Sequence, residues 1–331
     1  MNFKRFLAAA MSTCLLLSAV PAYAVPAASA DVPASVSASA EQDVVLIPED
    51  MIGAMEEDVA RKDLFRLPTL RETAAYLREM PRLYNVVSTR ARTLSSSRDL
   101  AALDAASSMS KAGPMGVAAA TLNGQPVTLL VLGGTFPARG QATGFKEDVL
   151  SAMEQSNDYL RNIVKLFDAK DADGNPVIPA DKPVIVSGLS LGGMVAQQLL
   201  AQKNIMDRFD IHSIICFGAP LLAAEYRTPD TRVVRICDSA DQVPYAGRPH
   251  LQDMLAQKIF NREPSQLIRE LDAQEVIRRD GGYRTTMMAH SQSYVMNPCW
   301  KDLDVLGQVN GTSELVMEES VRFFPCPRLG K

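Results

Sequence analysis

The chain has 331 residues, of which 47% are hydrophobic, 22% charged and 6% aromatic, so it carries enough apolar material for a full core and does not read as intrinsically disordered. Its 34 Lys and Arg stand against 38 Asp and Glu, a net charge of −4 that argues against a nucleic-acid binder with its clustered cationic face. A small molecule or a lipid is the expected partner, and length alone leaves open two domains or one α/β domain with an appendage.

Residues 1–24 read as a secretory signal peptide. Lys4 and Arg5 precede an apolar stretch from Phe6 to Val20, and Ala22-Tyr23-Ala24 supplies the small-residue cleavage site. Ala28-Ser29-Ala30 is a second such site but lies further from the apolar stretch. A membrane anchor is the weaker reading, because the run is shorter than the ~20 residues that span a bilayer. Cleavage leaves 32 basic residues against 38 acidic, a charge of −6, on a chain destined for a periplasm or the extracellular space. Four cysteines then remain, with three pairings open. Cys216 and Cys237 each end an apolar run and read as core thiols, whereas Cys299 and Cys326 flank a loop-rich segment and read as a staple. With no C-x-x-C and three histidines the chain does not suggest a zinc site, and no cofactor is expected.

Residues 25–44, rich in Ala, Ser, Pro and Val, suit a flexible linker. A helical N-terminal appendage follows over 45–112, with Met51, Met55 and Val59 at four-residue spacing and Leu70, Ala74, Leu77 and Met80 after a Thr69 N-cap. It reads as a packing cover for the main domain, a partner-binding role being the alternative. In the main domain, 113–331, the Asn123-Gly124 pair between Val117–Leu122 and Val127–Leu132 predicts a hairpin, since both turn residues must take positive φ. A helix is predicted from Glu147 to Phe167, and strands at Pro183–Val186, Ile211–Phe217 and Arg232–Cys237, the alternation that marks an α/β fold.

The sharpest feature is Val184-Ile185-Val186-Ser187-Gly188-Leu189-Ser190-Leu191-Gly192-Gly193, a β-branched strand, a G-x-S-x-G turn and an apolar helix start. In a nucleophile elbow the glycines are required because the serine sits on a strained turn where neighbouring side chains would collide. Ser190 would project alone above the sheet. A serine hydroxyl needs an imidazole to take its proton and a carboxylate to orient that imidazole. The order Ser, acid, His excludes His212 and leaves His250 or His290.

Gly134-Thr135, Gly188-Leu189-Ser190-Leu191-Gly192-Gly193, Phe217-Gly218-Ala219-Pro220 and Asp241-Gln242-Val243-Pro244 occur in the order found in class 3, or fungal-type, lipases, which the chain resembles over Val117 to Tyr294. The resemblance implies an α/β-hydrolase fold with a mostly parallel central sheet flanked by helices. It makes Asp241 the triad acid, with Asp238 the rival, and His290 of Ala289-His290-Ser291-Gln292-Ser293-Tyr294 the base, with His250 the rival nine residues past Asp241. Thr135, by its N–H and hydroxyl, and the N–H of Leu191 would bind the oxyanion. Two positions depart from the family: Leu189 stands where His is usual and Gly133 where Arg is usual, which alters the polarity around the pocket but not the triad.

Residues 247–283 read as a helical insertion, with Leu251, Met254, Leu255 and Ile259 followed by Leu267, Leu271 and Ile277. It suits a lid over the acyl pocket or inert padding, and the pattern does not choose. Asp171-Ala172-Asp173-Gly174-Asn175 lacks the flanking ligands of a calcium loop and reads as an Asp-Gly turn, and the Asn310-Gly311-Thr312 sequon carries no weight. The expected activity is that of an exported lipase, phospholipase or esterase that contacts lipid surfaces transiently and needs no cofactor. The alternatives are a short-chain carboxylesterase, an acyltransferase, or a non-catalytic binding protein on the same fold.

Overall fold

The computed structural model describes residues 93–136, 140–283 and 286–329. The signal peptide, the linker and the appendage helices expected before residue 93 lie outside the described residues. In chain order the main elements are β1 (Thr93–Leu94), α1 (Ser97–Ser108), β2 (Met115–Leu122), β3 (Gln125–Leu132), α2 (Phe145–Ala152), α3 (Asp158–Asp168), β4 (Val184–Leu189) and α4 (Leu191–Gln198). They are followed by β5 (Ile211–Phe217), β6 (Arg232–Asp238), α5 (Arg248–Phe260), α6 (Gln266–Glu275), β7 (Val276–Arg279), β8 (Leu315–Met317) and β9 (Arg322–Phe324).

The nine strands form one sheet in the order β1-β8-β2-β3-β4-β5-β6-β7, with β9 also beside β2. From β3 to β7 every pairing is parallel. The hairpin forms as its turn residues require: Asn123 and Gly124 take φ of 50° and 81°, and Leu122 pairs with Gln125. Parallel strands covered on both faces read as continuous apolar runs, as Val184-Ile185-Val186 and Ile214-Ile215 do here. Alternate residues then serve opposite layers. Leu130, Leu132, Val184, Val186 and Ile214 pack under α3 and α4, whereas Leu129, Val131, Ile185 and Ile215 pack under α1 and the segment around Trp300. Each such buried Leu, Ile or Val contributes roughly 1.5–3 kcal/mol, so the two layers fix the strand order on which the site depends.

Three expectations are corrected in detail. Residues 93–112, assigned to the appendage, belong to the sheet unit: β1 pairs with β8, and α1 carries Leu100 and Leu103 into the core. The single helix expected from Glu147 to Phe167 is two, because Glu154 takes a left-handed φ of 58° and the Asn157 side chain caps α3 by accepting the Leu160 N–H at 3.0 Å. The Cys299–Cys326 staple does not form. All four described cysteines are free, and these two lie with opposite layers of the core. Burial pushes the Cys237 and Cys326 thiols up to about 12, which keeps them unreactive.

The 247–283 segment is a helix pair, α5 and α6, that ends in the edge strand β7 running parallel to β6. Ile268 and Leu271 of α6 pack on Leu221 and Ala224. On α5 Leu251 is buried, while Leu255, Ile259 and Phe260 are exposed, the last two at 66% each. Asp171 Oδ1 accepts the N–H groups of Asp173 and Asn175, the Asp-Gly turn expected there.

Candidate active site

Strand β4 ends at Leu189 and helix α4 begins at Leu191, so Ser190 makes the whole reversal. Its φ of 53° and ψ of −117° lie outside the regions an L-residue prefers, a strain of order 1–3 kcal/mol that the surroundings must hold. They do so by accepting the Ser190 N–H on Phe217 O at 2.9 Å and by close backbone approach. A Cβ on Gly188 would sit 2.3 Å from Gly192 C, and one on Gly192 would sit 2.0 Å from Leu132 O. These contacts are the reason for the glycines that the sequence pattern displays.

His290 sits in a π-helical turn, Ala289–Ser293, within the helical segment 286–296. Such turns place a side chain off the ordinary helical lattice and recur at functional sites. The His290 Nε2 is 2.8 Å from Ser190 Oγ, and its Nδ1 is 2.8 Å from Asp241 Oδ2. All three residues are buried, and in the tautomer with its proton on Nδ1 the ring donates to Asp241 and accepts the Ser190 hydroxyl on Nε2. Asp241 Oδ1 accepts the Val243 N–H at 2.9 Å, and Oδ2 also accepts the Tyr294 hydroxyl at 2.7 Å. Burial first, and then the Asp241 charge, push the Tyr294 phenol well above its ordinary range, so it stays a donor. Gly218, at φ 59° after β5, opens the space in which these groups meet. A Cβ there would lie 3.0 Å from both His290 Nδ1 and Asp241 Oδ2.

The loop after β3 runs beside the elbow, where a Cβ on Gly134 would be 2.9 Å from Leu189 O. It is held from several sides. Tyr159 donates to Gly133 O at 3.0 Å, the Gly134 N–H donates to Ser108 Oγ at 2.7 Å, and Thr143 donates to Phe136 O at 2.7 Å. The Thr135 hydroxyl donates to the buried Asp148 at 2.6 Å and so anchors the loop. At the first position of α4 the Leu191 N–H has no intrahelical acceptor, and it points with the positive end of the helix.

The rivals lie elsewhere. Asp238 accepts the Ser293 hydroxyl, and His250 pairs through Nε2 with Asp272 of α6 at 2.9 Å. His212 contacts Ser213 on β5. Sequence reasoning missed Tyr294, Asp148, Ser108 and Tyr159 as supports. Tyr294 had a signal, an aromatic four residues past His290 and so on the same helical face, but its hydroxyl's partner depends on where β6 ends.

The constellation can therefore withdraw a proton from Ser190, stabilise the resulting imidazolium, and offer backbone donors beside the elbow. Among the described residues no helix is long and apolar enough to cross a membrane. No curated protein and no solved structure matches the chain. A family model described as the PGAP1-like alpha/beta domain matches residues 141–315, just over half the chain, and spans Ser190, Asp241 and His290. Its α/β-hydrolase type agrees with the mostly parallel sheet flanked by helices. The chain belongs to the PGAP1-like alpha/beta domain family.

Proposed function

We propose that the protein is an exported serine hydrolase that cleaves carboxylic ester bonds of lipids through an acyl-enzyme intermediate. The observation that carries this reading is the relay from Ser190 Oγ to His290 Nε2 and from His290 Nδ1 to Asp241, both links at 2.8 Å. In the first half-reaction Oγ attacks the ester carbonyl while His290 takes its proton, and His290 then gives that proton to the departing alkoxide. In the second half-reaction His290 takes a proton from the water that attacks the acyl carbonyl, the bond from that carbonyl to Ser190 Oγ breaks to release the carboxylic acid, and His290 returns the proton to Ser190 Oγ. Asp241 holds the imidazole in the tautomer both steps need, and the N–H groups of Thr135 and Leu191 bind the negative oxygen as it develops.

Family membership supports hydrolysis in general. The likeness of Gly188 to Gly193 and of Asp241 to Pro244 to class 3 lipases supports a lipid ester, as do the exposed Leu255, Ile259, Phe260 and Leu267 on the helix pair that follows the acid loop. The signal-type N-terminus supports export to a periplasm or beyond. The test is hydrolysis of nitrophenyl esters of increasing acyl length by the mature chain and by Ser190→Ala. Turnover in the first and not the second, with a long-chain optimum, is the expected result. A short-chain optimum would make the protein a simple esterase. Absence of turnover, together with equal fluorophosphonate labelling of both proteins, would favour a non-catalytic binding protein.

A further inference from the structure

Two carboxylates leave the end of β6: Asp238 at its last position and Asp241 three residues later. Asp241 receives His290, while Asp238 turns away and gathers three other donors. Its Oδ1 accepts the Ala240 N–H at 2.9 Å, and its Oδ2 accepts the Gly281 N–H at 3.1 Å and the Ser293 hydroxyl at 2.5 Å. Ser293 closes the π-helical turn that carries His290, and its Oγ accepts the Trp300 indole N–H at 3.2 Å. The Asp238 N–H donates to the Tyr294 hydroxyl at 3.0 Å, the same hydroxyl that donates to Asp241.

We propose that Asp238 is a positioning residue for His290, acting through Ser293. The strand end and the base-bearing segment are tied through the Asp241–His290 bond itself, in parallel through Asp238–Ser293, and again through the Tyr294 hydroxyl that bridges the two acids. A π-helical turn is rare and needs outside support to keep one geometry. A carboxylate accepting a hydroxyl proton makes a short, strong bond, and burial of both partners shields it from water. One carboxylate thereby joins the acid loop, the loop after β7 and the His290 turn. Gly281 fits this use: a Cβ there would lie 2.2 Å from Asp238 Oδ2 and 2.7 Å from Ser293 Oγ, so a side chain would wedge the tie open. A misplacement near 1 Å costs about 100-fold in rate, so a tie that holds the turn acts on kcat more than on binding.

The proposal rests on the hydrolase reading, and the experiment separates the two. Ser293→Ala, Asp238→Asn and their double variant are assayed on a soluble short-chain nitrophenyl ester, with unfolding curves to establish the folded fraction and with the far-downfield proton resonance of His290 Nδ1 recorded by NMR. Ser293→Ala is expected to lower kcat tenfold or more with KM within twofold, to shift or broaden the His290 resonance, and to lose little more activity when Asp238→Asn is added, because the two act as one unit. A kcat within twofold of wild type in folded Ser293→Ala overturns the proposal, as do losses that multiply in the double variant. If Asp238→Asn does not fold, Gly281→Ala takes its place under the same criteria. A wild-type chain without serine-dependent turnover removes the hydrolase reading instead, and an unmoved His290 resonance in Ser293→Ala then overturns the positioning role by itself.

Discussion

Replacing Gly218 by Ala tests whether the three groups of the relay are as tightly confined as the structure shows. The added methyl would lie 2.8 Å from Tyr294 Cε2 and 3.0 Å from Asp241 Oδ2 and His290 Nδ1, where ordinary contact is 3.4–4 Å. Neither nitrogen nor oxygen can retreat alone, because each is tied at 2.8 Å to the other and the imidazole is tied again to Ser190. The left-handed φ of 59° costs Ala roughly 1–2 kcal/mol, and overpacking a filled site costs roughly 1–3 kcal/mol more. Unfolding by denaturant should therefore show a loss of about 2–5 kcal/mol. Displacement of the imidazole by several tenths of an ångström should lower kcat about 10- to 100-fold, given ~100-fold for a shift near 1 Å. Gly174→Ala supplies the comparison, since Gly174 has φ 84° and nothing within 4 Å of a Cβ, so only the backbone cost of roughly 1–2 kcal/mol applies and kcat should not move. If Gly218→Ala loses no more stability than Gly174→Ala and keeps kcat within twofold, the confinement argument is wrong.

Asp241→Asn should lower kcat about 10,000-fold with the fold intact, because an amide at that place favours the wrong imidazole tautomer, and steady-state kinetics on a soluble ester would read it. Asp104, buried under β4 with Ser187 donating to its Oδ2 at 2.6 Å, has its carboxyl pushed well above the usual range, chiefly by burial. The folded state thus prefers the protonated acid, and this group's contribution is present below the unfolded pKa and is lost as pH rises from about 4. The stability of Asp104→Asn relative to wild type should accordingly increase with pH in denaturation series, and a constant difference would count against the assignment. Asp272 behaves oppositely: burial raises it, but hydrogen bonds from His250 and Arg235 prevail and hold it at about 2. Its contribution is present above pH ~4 and lost as pH falls toward 2, so Asp272→Asn should flatten that limb of the stability profile. Ile259→Ser with Phe260→Ser should reduce turnover of dispersed long-chain esters at least several-fold and leave a soluble short-chain ester untouched. Equal effects on both substrates would detach the helix pair from lipid contact.

The parts of the fold legible in the sequence are those whose signal is local. Val184-Ile185-Val186 announces a strand covered on both faces, Asn123-Gly124 announces a hairpin, and the glycines around Ser190 announce a turn no other residue fits. Helix α1 reads in the sequence as part of the appendage for a physical reason. Ala101, Ala102, Ala105 and Ala106 let it press close to the sheet, and it is buried nearly all round, so no hydropathy contrast distinguishes it from the helical pattern before it. Likewise the 247–283 segment shows helical spacing to its end, and nothing in Val276 to Arg279 says that those residues add the edge strand beside β6.

The choice between Asp238 and Asp241 shows where local signals stop. Both follow an apolar strand, both are nearly fully buried, and both accept hydrogen bonds from the segment that carries His290. What separates them is the course of the chain after β6: the turn closed by Asp241 N–H on Asp238 O carries the second carboxylate around toward the elbow and leaves the first facing Gly281 and Ser293. Only the π-helical turn then presents His290 to one and Ser293 to the other, three residues apart on each side. A sequence shows two acids and two candidate histidines; the packing of β7 and the 286–296 segment against the end of β6 divides the labour, giving one acid the His290 imidazole and the other the Ser293 hydroxyl of the turn that carries it. That division also explains why exchanging the two acids would not be neutral, since each oxygen answers donors that only its own position can reach.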